Sequence, residues 1–139
     1  MYLVLQVLAT AQALEKAGQQ IFRPHGLSVA QFNVLNLLSD QPEGMRASGL
    51  AEALVVDPSN ITGLLNRMGR AGYLRELKSP HDGRQRVVTL SPKGQLLWRK
   101  AHAEYVRRIE AFEARIAGPD RRVMEKVLAG MVEELASLR

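Results

Sequence analysis

The chain has 139 residues, of which 46% are hydrophobic and 24% charged, and a formal net charge of +5. This suits one globular domain, or one small domain with an added assembly element. The absence of cysteine excludes disulfides, Cys-based zinc sites and thiol chemistry. No run approaches the roughly 18 apolar residues of a membrane span, and the N-terminus lacks a signal-peptide pattern. We therefore expect a soluble, cytoplasmic protein.

The positive charge is concentrated in one part of the chain. From Ser59 to Lys100 there are nine Lys or Arg and two acids, a net of +7. The rest of the chain has ten basic and twelve acidic residues, a net of −2. This local charge favours a polyanionic partner, which is either nucleic acid or an anionic membrane surface.

Helical spacing of apolar residues predicts a first helix over residues 3–22, which Pro24 and Gly26 end. Its apolar content is high and few charges balance it. Two interpretations stay open at this point: an ordinary core helix, or a helix packed against a partner chain.

The next elements are short and have clear start signals. Ser28 and Gln31 have the spacing of a capping box, so a second helix begins there. Met45 and the two residues after it predict a very short strand, and a third helix opens at Ser48. Asp57 as N-cap and Pro58 at the first helical position then start a fourth helix, which extends to about Ala71 with Gly72 as its C′ residue.

The fourth helix is predicted to have one apolar and one polar face. The apolar side has helical spacing and consists of Ile61, Leu64, Leu65 and Met68. The other side has short polar residues and two arginines but no acid: Ser59, Asn60, Thr62, Gly63, Asn66, Arg67 and Arg70.

The second half of the chain predicts a small hairpin and two long helices. Residues 73–78 and 86–90 are β-rich, and the polar linker Ser79–Arg86 between them is too long for a tight turn, so it projects. Ser91 as N-cap and Pro92 then start a helix that extends to about Ala117. Asp120 is then expected to cap a last helix whose apolar seam, Val123–Leu138, is typical of a coiled coil.

This order, a helix-turn-helix followed by a β-hairpin, predicts a winged helix-turn-helix. An apolar back and a polar, acid-free front on the second helix suit a DNA major groove. The hydroxyls of Ser59 and Thr62 suit phosphates, whereas Asn60, Asn66 and Arg67 have donors that suit base edges. The alternative is a solvated helix face, which usually carries mixed charge.

The linker of the hairpin has its own predicted contact. Arg84 lies at the tip of the projection, which suits the electronegative minor groove beside the major-groove site. Asp82 is placed to hold that guanidinium by a charge-assisted hydrogen bond. A solvated loop is the alternative.

Several stretches carry a family resemblance. They are Leu27-Ser28-x-x-Gln31-Phe32 before the helix-turn-helix, Leu50-Ala51-x-x-Leu54 and Asp57-Pro58-Ser59-Asn60-Ile61-Thr62 within it, and Asp82-x-Arg84 with Leu90-Ser91-x-x-Gly94 in the wing. In this order they resemble the MarR family of winged-helix transcriptional regulators. Gly83 stands where that family commonly has a charged residue, and Ser91 stands where Thr is usual.

The resemblance implies a mainly α-helical protein (α+β in the wing). Residues 27–91 would form the winged helix-turn-helix DNA-binding region, and the helices in 1–26 and 92–139 would interlock in a homodimer. It also implies a pseudo-palindromic operator and release by a small, often aromatic, anion. Carried over by position, Ser59, Asn60, Thr62, Asn66, Arg67 and Arg70 would face the major groove or its phosphates. Arg84 would enter the minor groove, with Asp82 orienting it and Arg86 in support.

The sequence-based hypothesis is thus a homodimeric DNA-binding regulator, most simply a repressor of double-stranded DNA operators with a small-molecule effector. An effector pocket is expected where the first, second and fifth helices converge, near Arg23, Phe32 and Trp98. No enzyme motif, cofactor or metal site is predicted, since no phosphate loop or zinc motif is present and the three His are scattered. Two alternatives remain: a winged-helix protein-interaction module, and a nonspecific architectural DNA binder without a ligand.

Overall fold

The computed structural model describes residues 2–54, 58–78 and 86–138. Six α-helices and a two-stranded antiparallel sheet follow one another in the described chain: α1 (Tyr2–Phe22), α2 (Val29–Leu38), α3 (Ala47–Leu54), α4 (Pro58–Arg70), β1 (Leu74–Lys78), β2 (Arg86–Leu90), α5 (Pro92–Glu113) and α6 (Gly118–Ser137). A short 3-10 turn, Arg23–His25, follows α1. The predicted class, mainly helical with a two-stranded wing, is confirmed. Asp57, the predicted N-cap of α4, lies outside the described residues.

The chain divides into two compact units. The first runs up to Tyr105 and contains α1 to α4, the sheet and the first part of α5. The second begins at Val106 and contains the end of α5 and all of α6.

Local capping signals fix the start of α2. Gly26 has a left-handed φ of 70°, and its amide donates to the Arg23 carbonyl at 2.9 Å. Ser28 and Gln31 then exchange side-chain and backbone hydrogen bonds of 3.1 and 3.0 Å in the predicted capping box. A cap of this kind stabilises a helix by about 1 kcal/mol, so contacts within a few residues contribute to this corner.

The core of the first unit is built where α1, α2, α3 and α4 meet. Its fully buried side chains include Phe22, Val34, Leu35, Leu50, Ile61 and Met68. Each of the larger ones contributes about 1.5–3 kcal/mol by leaving water. Ile61 and Met68 belong to the apolar row predicted for α4, in which Leu65 is also buried and Leu64 is half-buried. This row fixes which side of α4 faces solvent.

The sheet lies against this core on one face. Leu74 pairs with Leu90 and Lys78 pairs with Arg86 in an antiparallel register. The short strand predicted after Gly44 is a single bridge, in which Met45 and Val88 exchange backbone hydrogen bonds of 3.0 and 2.9 Å. Gly44 has a φ of 83°, and a Cβ on it would lie 2.7 Å from the Val88 carbonyl oxygen, so no other residue suits this approach.

The start of α5 lies directly against the loop that leaves α4. The Ser91 amide donates to the Tyr73 carbonyl at 3.0 Å, and the Gly94 amide donates to the Ser91 hydroxyl at 3.0 Å. A Cβ on Gly94 would lie 2.1 Å from the Tyr73 carbonyl oxygen. The two chain segments therefore approach more closely at this point than any residue with a side chain permits.

Two expectations for the last helices are wrong. Helix α5 ends at Glu113, not near Ala117, because the amides of Arg115 and Ile116 bond to carbonyls only three residues back and tighten the chain into a turn. Asp120 does not cap α6. The helix begins at Gly118 after Ala117, which makes no side-chain cap bond, and Asp120 lies in the first turn. Pro119 lies at the start of this helix and has no amide N–H, so one donor fewer needs a cap.

Gly94→Ala tests the close approach at the start of α5. We expect it to lower the free energy of unfolding by on the order of 3 kcal/mol, because the new methyl meets backbone that cannot move aside. Urea denaturation measures the change. The matched control is Gly69→Ala in α4, where a Cβ meets no atom of the described residues within 4 Å and where we expect a gain of about 0.5–1 kcal/mol. Equal stability of the Gly94→Ala protein and the unaltered protein would contradict this packing.

Candidate nucleic-acid interface

Helix α4 has a buried face and an exposed face. Ile61 and Met68 are 1% and 0% exposed, and Leu65 is also buried. All six predicted contact residues of this helix are exposed on the opposite side: Ser59, Asn60, Thr62, Asn66, Arg67 and Arg70. The structure therefore brings them together on one surface of one helix.

The charge on the exposed face of α4 is entirely positive. The helix contains no acidic residue, and Arg67 and Arg70 lie in its last turn, where positive charge also suits the helix dipole. Nη1 of Arg67 lies 3.4 Å from the point where a Cβ of Gly63 would stand, so its guanidinium lies over that glycine. Nε of Arg70 lies 3.4 Å from the Asn66 carbonyl, which is too long to fix the side chain strongly.

The C-terminal end of α4 is fixed to α5. Gly72 has a φ of 84°, and the amides of Gly72 and Tyr73 bond to the carbonyls of Gly69 and Met68 at 3.0 Å each, which is a Schellman motif. Two side chains from the start of α5 complete the cap. The Ser91 hydroxyl donates to the Gly72 carbonyl, and Nζ of Lys93 donates to the Ala71 carbonyl at 2.9 Å.

The Lys93 ammonium makes a second contact in this cap. It lies 5.3 Å from the centre of the Tyr73 ring, within the range of a cation–π interaction. The sequence indicated Ser91 as a helix cap but gave no signal for the role of Lys93, which acts on a carbonyl 22 residues away. Together these contacts determine where the exposed face of α4 points relative to α5.

A groove of about 430 Å³ lies between α4 and the sheet. From α4 its walls include Thr62, Asn66 and Arg70, and from the sheet they include Arg75, Glu76 and Arg86. Three arginines and one carboxylate therefore share one open groove beside the exposed face of α4.

The wing residues are described only in part. Arg86 is the first residue of β2, and its Nη1 lies 3.3 Å from Oε1 of Glu76 on β1. Both side chains are exposed, 74% for Arg86 and 54% for Glu76. Asp82 and Arg84, with the rest of 79–85, lie outside the described residues.

The three residues expected near an effector have different surroundings. Phe32 is a core residue, stacked on Phe22 with ring centroids 4.1 Å apart. Trp98 is half-buried, and its indole donates to Oδ1 of Asn36 at 3.1 Å. Arg23 is exposed in the turn after α1.

Near this aromatic cluster the structure shows contacts that the sequence did not indicate. Nε2 of His25 lies 2.8 Å from Oε2 of Glu104 on α5. The ring of His102 stacks on Trp98 at 4.8 Å, and Nδ1 of His102 is buried without a hydrogen-bond partner among the described residues. Residues 79 positions apart carry no periodic signal, so only the fold brings His25 and Glu104 together.

Across residues 2–54, 58–78 and 86–138, no helix has the length and apolarity that a bilayer crossing requires. The same residues contain no group of three or more His, Asp or Glu arranged to hold a metal ion.

Known proteins resemble this chain in sequence and in fold. A model of the MarR family matches residues 25–85. Over 112 residues the chain is 36% identical to the homoprotocatechuate degradative operon repressor of Escherichia coli, which covers 75% of this chain and 74% of that protein. It is 34% identical over 98 residues to the transcriptional activatory protein BadR of Rhodopseudomonas palustris, and this match spans 69% of this chain but only 56% of BadR.

A solved structure agrees with these matches. The crystal structure of CouR from Rhodococcus jostii RHA1 bound to p-coumaroyl-CoA superposes with a TM-score of 0.79 at 25% identity, over 90% of this chain and 88% of CouR. With the exposed basic helix and the paired strands in place, the chain belongs to the MarR family of winged-helix transcriptional regulators. Its function is regulation of transcription by binding DNA.

Arg67→Ala tests whether α4 reads bases. If Arg67 contacts a base edge, its loss should relax discrimination at one base-pair position by about 1–3 kcal/mol. Duplexes selected from a random library by the unaltered protein, each with one base pair changed, measure this. Arg67→Lys is the matched control, since it keeps the charge but loses the planar fork. An equal loss on every duplex would identify Arg67 as a phosphate contact.

Proposed function

We propose that two copies of this chain bind a pseudo-palindromic DNA operator, that binding represses transcription, and that a small aromatic anion releases the protein. The observation that carries the proposal is the exposed face of α4, which bears amide, hydroxyl and guanidinium groups and no acid. The helix buries the opposite face in the core, so these donors have a fixed direction. A phosphate backbone with base edges between its strands is the partner that such donors suit.

Each half of the operator would be contacted by residues 27–91. Ser59 and Thr62 near the start of α4 would meet phosphates, whereas Asn60, Asn66 and Arg67 would reach base edges in the major groove. Arg70 at the other end of the helix adds a phosphate contact. In the wing, Arg84 would enter the adjacent minor groove with Asp82 orienting it, and Arg86 would lie beside them.

The exposed apolar side chains of two helices support a homodimer. Helix α1 has Leu3, Val4, Leu5 and Leu8 each more than half exposed. Helix α6 has no buried residue within a single copy, and its exposed apolar residues are Val123, Met124, Val127, Leu128, Val132 and Leu135. Single exposed leucines are common, but contiguous rows of this kind mark interaction sites. We propose that 1–26 and 92–139 form the dimer and set the distance between the two DNA-binding regions.

The effector, the compartment and the direction of control are parts of the same proposal. CouR was crystallised with p-coumaroyl-CoA, and the Escherichia coli relative is named for homoprotocatechuate degradation, so aromatic acids and their thioesters are the first ligands to consider. They would bind near Arg23, Phe32 and Trp98. Repression follows the relative that this chain covers more fully, while BadR is named an activator. We propose that the protein has no enzymatic role. We also propose that it acts in the cytoplasm, where the DNA lies.

Binding to the DNA upstream of its own gene tests the proposal. We expect the protein to prefer a site there over random duplex by at least ~10³-fold. The protected half-sites should lie about 10 base pairs apart, because two-fold symmetry places one reading helix in each. Fluorescence anisotropy with random competitor, followed by footprinting, gives both quantities. Equal affinity for random DNA would indicate an architectural binder, and negligible binding to any DNA would indicate a protein-interaction module.

Val127→Glu tests the dimer. We expect a dimer to monomer shift in sedimentation velocity at micromolar concentration, because a carboxylate in an apolar interface loses its hydration without gaining a partner. Ala129→Glu is the matched control, since it adds the same charge to α6 outside the apolar row, and it should leave the dimer intact. A monomeric unaltered protein, or equal behaviour of the two variants, would refute the role of this helix face.

A further inference from the structure

Glu76 is an acidic residue in strongly basic surroundings. Residues 58–78 and 86–100 contain eight Lys or Arg and a single acid, which is Glu76. It lies on β1 in the wall of the groove shared with Arg70, Arg75 and Arg86. A carboxylate at this place repels DNA phosphates, so its presence beside three arginines calls for a physical reason.

The geometry of its ion pair shows what Glu76 does to Arg86. Nη1 of Arg86 lies 3.3 Å from Oε1 of Glu76, which is longer than the 2.7–2.9 Å typical of a charge-assisted hydrogen bond. Both side chains are more than half exposed. A pair of this kind is weak and exchanges readily with other ions. It is therefore unsuited to hold the Arg86 guanidinium in one orientation, but it offsets the charge of Arg86 in the free protein.

The strand register keeps the two side chains near each other. Glu76 stands opposite Val88, and Lys78 stands opposite Arg86, so Glu76 and Arg86 lie on the same face of the sheet, two positions apart along the strands. This diagonal is within reach of long side chains. The pairing is thus a property of the folded wing.

We propose that Glu76 weakens DNA binding by pairing with Arg86. Arg86 must leave the Glu76 carboxylate before it contacts a phosphate. The inference rests on the proposed function, because it takes the groove between α4 and the sheet to face DNA. Arg86 and Glu76 together carry no net charge, so their approach to a phosphate displaces little of the cation condensed on the DNA. The contact then adds little to affinity or to its salt dependence.

Glu76→Gln is the test, with a duplex of random sequence as the probe. Without the carboxylate, Arg86 meets the phosphate with no competitor. We expect affinity to rise about 2- to 5-fold per protomer, the range measured for exposed ion pairs. The slope of log K against log salt should steepen by about 0.9 per protomer, since one more cation is now released. Anisotropy titrations at several salt concentrations give both values.

Two further variants isolate the pair. In an Arg86→Gln background, Glu76→Gln should have a much smaller effect, because there is no guanidinium left to release. Asp40→Asn removes one negative charge from the exposed turn after α2 and should leave affinity and slope almost unchanged. An equal gain from Asp40→Asn, or a full gain without Arg86, would overturn the proposal in favour of a general charge effect.

The remaining outcomes also decide the matter. A loss of affinity in Glu76→Gln would mean that the carboxylate orients Arg86 for DNA binding. This outcome would overturn the proposal that Glu76 weakens binding. An unchanged affinity and slope would overturn it as well, and would leave the proposed function intact if the unaltered protein still binds DNA. Failure of the unaltered protein to bind any DNA would instead overturn the proposed function and, with it, the role of Glu76.

Discussion

The hydroxyl of Ser91 is the contact on which the geometry of the DNA-binding surface depends. It donates to the carbonyl of Gly72 beyond the end of α4 and accepts the amide of Gly94 in the first turn of α5. One buried atom thus caps two helices at once. Because β2 ends at Leu90, directly before Ser91, the wing is tied to the same point. Helix α4, the sheet and α5 therefore share one junction, and a shift of α5 moves the exposed face of α4 with it.

This junction compensates for an intrinsically weak helix. Helix α4 contains Gly63 and Gly69, each of which lowers helix stability by roughly 1 kcal/mol relative to alanine. The buried row around Ile61 and Met68 holds the helix along its length, and the cap at Gly72 holds its end. Because these glycines have no side chains to project from the helix, a DNA backbone can approach it closely. Tertiary contacts thus supply the order that the sequence of the helix lacks.

Local signals in the sequence were enough to predict most elements. Ser28 with Gln31, the apolar row of α4 and Gly72 each act within a few residues, so their chemistry is legible without a structure. The predictions for the end of α5 and the start of α6 were wrong. Several residues near Gly118 can cap or break a helix, and the spacing of apolar residues does not decide among them. Lys93 on the Ala71 carbonyl, Glu76 with Arg86, and His25 with Glu104 were not foreseen, since they join residues that only the fold brings together.

The apolar surface of α6 has a consequence for how a cell would keep such a protein. A newly made copy displays Val132 and Leu135, 69% and 58% exposed, until a second copy covers them. Association of two monomers into the proposed dimer is second order in protein concentration. Each monomer therefore remains unpaired for longer when fewer copies are made. While it is unpaired, the monomer is exposed to proteolysis and to aggregation. The hydrophobicity of one helix thereby sets a lower limit on the number of copies at which the regulator persists.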